Sequence, residues 1–147
     1  MPSATLTGMY GEPLEYLKGL LEASPAFASF SPTGSIYLIE RMGVSGYEPA
    51  AGDGWAVVGY EQGDHRIRRT PGFNIERSPR LTLVKCVTKA TEAVKADTIN
   101  AIGDIVQDLN EAADADLVSD IDLVSFGIED EADPPLIGAV LKVRMNL

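Results

Sequence analysis

Cysteine and histidine each occur once in the 147 residues, as Cys86 and His65. A lone cysteine forms no internal disulfide, so the chain is expected to be made in a reducing cytosol and to fold without covalent staples. A lone histidine without a cysteine partner builds neither a histidine-based metal site nor a catalytic triad. No apolar run approaches the ~20 residues that a membrane helix needs, so no membrane partner is expected. The start, Met1-Pro2-Ser3-Ala4-Thr5, has no basic stretch leading into an apolar one, and no signal peptide is expected there. Cations are also scarce: 12 Lys and Arg stand against 22 Asp and Glu, a formal charge of −10.

What is present suits one folded domain. The hydrophobic fraction is 45%, ordinary for a globular chain. A chain of this length buries roughly 68–70% of its unfolded surface, enough for a single core. Residues 1–11, with Gly8 and Gly11, read as an N-terminal arm. A first helix is expected from about Glu12-Pro13, with Leu14, Leu17, Leu20 and Leu21 on one face. Ser24-Pro25 ends or kinks it, and Ala26, Phe27 and Phe30 make a short turn that plugs the core.

Three strands are expected next, at Ser35–Glu40, Trp55–Tyr60 and Arg80–Val87. Between the second and third, residues 61–79 form a long basic hairpin or loop, of a length usually tied to function. A long helix over 93–113 carries Ile99, Ile102, Val106, Leu109 and Ala113 at spacings of three and four, with Asp97 at its start. Two strands close the chain, at 119–129 and 137–147. In the last, Ile137, Ala139, Leu141, Val143, Met145 and Leu147 alternate with Gly138, Val140, Lys142, Arg144 and Asn146, the pattern of a half-buried antiparallel strand. The order α-β-β-β-α-β-β predicts an α+β fold, about five strands in an antiparallel or mixed sheet packed on two main helices, in one domain over 12–147.

No residue group points to catalysis, a metal or a cofactor. His65 reads as a solvated loop residue, and Cys86, between Lys85 and Val87 in a strand, as a buried one. The acidic stretches Glu129-Asp130-Glu131 with Asp133, and Asp114 with Asp116, offer oxygen ligands but not the spacing of a calcium loop. Gly52-Asp53-Gly54 is too short for a phosphate cradle. Ser24, Ser35 and Ser78 lack the G-x-S-x-G setting of a nucleophile elbow. The chain is therefore read as not an enzyme.

Charge is segregated instead. From His65 to Lys89 seven cations face one acid, a net +6; from Ala90 to Asp133 thirteen acids face Lys95 alone, a net −12. Such asymmetry suits a charged partner or self-complementary docking, while the plainer alternative is that the acids solvate one helix face. Arg66, Arg68, Arg69, Arg77 and Arg80 are the candidate basic interface residues, and Asp104, Asp108 and Glu111 the candidate acidic ones. The arginine cluster also suggests transient, non-specific contact with DNA. The acidic chain and the few interleaved aromatics speak against sequence reading.

The leucine-rich first helix running into Ala23-Ser24-Pro25-Ala26-Phe27 resembles the opening of bacteriophage neck and tail-completion proteins. The second half is similar: strand Arg80–Val87, helix 93–113, strand 119–129, a turn, and a last strand with Leu141-Lys142-Val143-Arg144-Met145. Together they resemble the tail-terminator family over residues 12–147, a resemblance of layout with no diagnostic catalytic motif. It implies a structural virion protein, assembled in the host cytoplasm, whose copies close into a ring of about six. Such a ring caps the tail tube and joins the tail to head-completion proteins. Loops like 61–79 contact neighbouring subunits or the tube in that family. The +6 and −12 segments are candidates for the two complementary patches that a head-to-tail ring requires. The alternative is a small intracellular protein-binding domain with no virion role.

Overall fold

A computed structural model describes residues 6–38, 51–60, 68–69, 75–129, 131 and 134–146. Its elements run α1 (Gly8–Glu22), α2 (Pro25–Phe30), β1 (Ser35–Leu38), β2 (Gly54–Gly59), β3 (Arg68–Arg69), β4 (Ile75–Arg77), β5 (Arg80–Cys86), α3 (Glu92–Ala112), β6 (Val118–Glu129) and β7 (Leu136–Asn146). The α+β expectation holds. The five expected strands form one mixed sheet, extended by the short pair β3 and β4 from the basic segment. The order is β1-β2-β5-β7, with β1 parallel to β2 and the other pairs antiparallel. Beyond this row β6 pairs with β7 along one side, and β4, carrying β3, pairs with it on the side shared with β5.

The first helix starts at Gly8, four residues before the expected Glu12, and holds Pro13 inside it. Local propensity argues against this start, because Gly8 and Gly11 weaken a helix. Tertiary contacts override it. Leu6 folds back so closely that a Cβ at Gly11 would lie 2.9 Å from the Leu6 carbonyl carbon. The Leu6 amide donates to Glu15 Oε1 at 2.8 Å. Residues 6–11 are therefore part of the folded body, and the rest of the expected arm, residues 1–5, lies outside the described residues.

Ser24 does more than break α1. Its hydroxyl oxygen accepts the Phe27 amide at 3.1 Å and caps α2, with Pro25 at the first helical position. The six-residue helix drives Phe27 and Phe30 into the core, stacked at 6.3 Å between ring centroids. Gly54 opens β2 where nothing larger fits. A Cβ there would lie 2.6 Å from the Phe30 carbonyl oxygen and 2.7 Å from its ring.

All helices lie on one face of the sheet. Strand residues Ala56, Val58, Leu81, Leu83, Ala139, Leu141, Val143 and Met145 meet Leu14, Leu17, Leu21, Phe27 and Phe30 in the core. The alternation expected of the last strand is observed from Ile137 through Met145, buried at odd positions, while Leu147 lies outside the described residues.

The long helix is capped by Thr91, whose side chain accepts the Val94 amide, and has Glu92 rather than Asp97 in its first turn. Its buried face differs from the expected one. Thr98, Ile102, Ile105 and Leu109 are buried, whereas Ile99 is 49% exposed and Val106 only half-buried. At about 100° per residue, the true stripe is rotated by roughly 50° from the one through Ile99 and Val106. Thr98 can hold a core position because its hydroxyl donates to the Val94 carbonyl at 2.8 Å, satisfying the buried oxygen. A count of apolar side chains alone passes over it.

Candidate functional site

The basic segment extends the sheet. Arg68 and Arg69 form β3 and align with Glu76 and Ile75 of β4; Glu76 and Arg77 align in turn with Asn146 and Met145 of β7. Arg80 opens β5, half-buried, between Gly59 and Lys142 of its neighbours. Four of the five arginines thus belong to strands, consistent with the hairpin reading. Arg66 and His65 lie outside the described residues.

The three expected acidic residues separate. Asp104 and Glu111 are exposed on α3, Glu111 accepting from Gln107 Nε2 at 3.1 Å. Asp108 is not a free interface residue. Its Oδ2 accepts the Ser24 hydroxyl at 2.7 Å and the Ala26 amide at 3.1 Å, tying α3 to the start of α2. A carboxylate suits that place because the first amides of a helix lack partners within it. Asp108→Ala is expected to cost about 1–3 kcal/mol, since the buried Ser24 hydroxyl and an amide both lose their acceptor. Asp104→Ala on the exposed face should stay within about 0.5 kcal/mol. Equal values in chemical denaturation would mean that Asp108 is not holding the two helices.

Three other acids of the −12 segment, Asp120, Asp122 and Glu129, lie in β6, a strand that sequence reasoning did not single out. This strand pairs with β7 alone among the described strands, so it is a sheet edge of 12 residues. Register places Ile121, Leu123, Phe126 and Ile128 opposite Val143, Leu141, Ala139 and Ile137, on the helix-covered side. No helix reaches over them fully: Leu123 is 62% exposed and Phe126 38%. Val124, in a register irregularity between Leu123 and Ser125, is exposed too. On the opposite side Asp120 and Asp122 stand across from Arg144 and Lys142; the Asp120–Arg144 pair is 3.9 Å apart and open to solvent, worth little by itself. The signal in the sequence was the unusual mixture of Val, Leu, Phe and Ile with acids and no cation. Alternation alone did not reveal which side went uncovered.

The residues with chemical potential sit apart from this edge. Cys86 is buried, and burial, with the Asp53 carboxylate second, pushes its thiol up, which disfavours the thiolate. Lys85 donates from Nζ to the Phe30 carbonyl at 2.7 Å; burial lowers its pKa and Asp53 partly offsets this. Asp114 and Asp116 are occupied in a turn, where the Asp116 amide donates to Asp114 Oδ1 at 2.9 Å. Glu129 and Glu131 are exposed, while Asp130 and Asp133 lie outside the described residues. Among the described residues no three His, Cys, Asp or Glu side chains gather as a metal site would require. No helix is long and apolar enough to cross a membrane, again among the described residues. The chain matches no protein-family model, and no curated protein is significantly similar to it in sequence.

Proposed function

We propose that this chain is a structural assembly protein, a tail-terminator-like subunit whose copies close into a ring. In this reading the ring caps a phage tail tube, contacts head-completion proteins, and forms part of the virion. Its residues act by docking and not by catalysis. The observation that carries the proposal is the pair of outward sheet edges on opposite sides of β7: β6, acidic and apolar, and β3, made of two arginines. A ring joined head to tail needs two different complementary surfaces on each copy. The order of helices and strands, which resembles that of the family, supports the same reading.

Negative-stain microscopy and sedimentation of the purified full chain test the proposal. Closed rings of about six copies are expected, growing in proportion with concentration. A chain that stays a single copy up to about millimolar concentration, where even weak specific contacts with a free energy near −4 kcal/mol associate, overturns it.

A further inference from the structure

We infer that β6 is the acceptor for the β3 edge of a second copy, so that the sheets of successive copies join through an acidic edge and a basic one. The inference rests on the ring reading above and names its interface.

A free strand edge presents unpaired amides and carbonyls, and proteins ordinarily blunt it with lysine, proline, shortness or a bulge. Strand β6 has irregularities after Val118 and Leu123, but it is 12 residues long and contains neither lysine nor proline. It also exposes Leu123, Val124 and Phe126. An added strand would satisfy the edge and cover this apolar surface, the mode by which extended segments join sheets elsewhere.

Charge selects the occupant. No Lys or Arg occurs between Lys95 and Lys142, so the acceptor edge carries Asp120, Asp122 and Glu129 with no cation of its own. A second β6 lying against it would set acids beside acids. Like charges across an interface cost enough to reject a partner. The remaining free edges of the described sheet are β1 and β3. Strand β1, Ser35–Leu38, carries no charge, whereas β3 is Arg68-Arg69. It also lies on the other side of β7 from β6. Joining β3 to β6 therefore leaves an acceptor free on one copy and a donor free on the next, as propagation around a ring demands.

The test is a charge swap in the full chain, read by sedimentation. One variant carries Asp120→Lys and Asp122→Lys; the other carries Arg68→Glu and Arg69→Glu. Wild type should assemble, and should loosen as salt rises from about 0.1 to 1 M and the screening length falls from ~10 to ~3 Å. Each variant alone should assemble at least about tenfold more weakly, since like charges then meet at every contact. Mixed in equal amounts the two should recover assembly, because each β6 again finds a β3 of opposite sign. Thermal melts report folding. If a reversed variant melts early, Asp120→Asn with Asp122→Asn replaces it, and should weaken assembly and flatten its salt dependence. If the β3 variant assembles like wild type, or the mixture fails to recover, the β6–β3 contact is wrong while the assembly reading stands. If wild type itself remains a single copy, the assembly reading falls and this contact with it.

Discussion

Ile105→Ala should destabilise the protein by about 2–5 kcal/mol, whereas Ile99→Ala should change stability by less than about 0.5 kcal/mol. The two residues lie on the same helix and lose the same atoms, so the contrast isolates burial. Ile105 is fully buried within the core cluster, and Ile99 is 49% exposed. Truncating the first removes apolar area from the interior and leaves a cavity that neighbours fill only in part. Truncating the second returns little surface to water that was not already there. Urea denaturation midpoints at constant slope give both values. Comparable losses at the two positions would mean that α3 is rotated toward the face through Ile99 and Val106, and the helix-to-sheet packing described above would be wrong.

That rotation shows where sequence stops determining packing. The helical period of α3 was legible because apolar residues recur from Ile99 to Ala113, over about four turns, and Ile102 and Leu109 belong to either stripe. The choice between Ile99 and Thr98 depends on a hydroxyl that can satisfy itself against the Val94 carbonyl, which apolar counting cannot weigh. The strands were legible for a similar reason: β7 alternates, as β5 does through Leu83, and their register sets Leu81 beside Leu141 and Leu83 beside Ala139 in the core. The start of α1 was not legible, since it relies on Leu6 closing over Gly11. At the candidate site, charge segregation marked the right segments but not the right residues. Asp108 has the same local pattern as Asp104, yet a contact 84 residues distant in sequence, from Ser24, takes it out of the exposed set. The acids of β6 read as half of an ordinary alternating strand. Their place at an edge follows from β7 pairing with β5 on its other side, a long-range fact.

Phe30→Ala should cost about 3–5 kcal/mol, the range for emptying an aromatic site in a core. Three separate parts of the fold meet at this one residue. It ends α2 with its side chain only 2% exposed, its ring is stacked on Phe27, and β2 approaches it so closely that Gly54 must lack a side chain. The Lys85 ammonium sits 5.3 Å above the ring centre while donating to the Phe30 carbonyl. Alanine keeps that carbonyl but removes the ring, so packing and the cation's contact with the aromatic face are lost together. Neither Gly54 nor the α2 backbone can fill the space. A second readout follows from Lys85. Burial is the leading cause of its lowered pKa, so opening the site to water should move its titration back up toward the ordinary lysine value. Asp53, which favours the charged form, remains in place, while loss of the ring face, which also favoured it, offsets part of the rise. Denaturation and an NMR titration of the Lys85 side chain measure the two effects in one variant. A loss under about 1 kcal/mol would show that Phe30 is not the joint between the helices and the sheet, and a Lys85 titration that does not rise would show that shielding by the ring is not the leading cause of its lowered value.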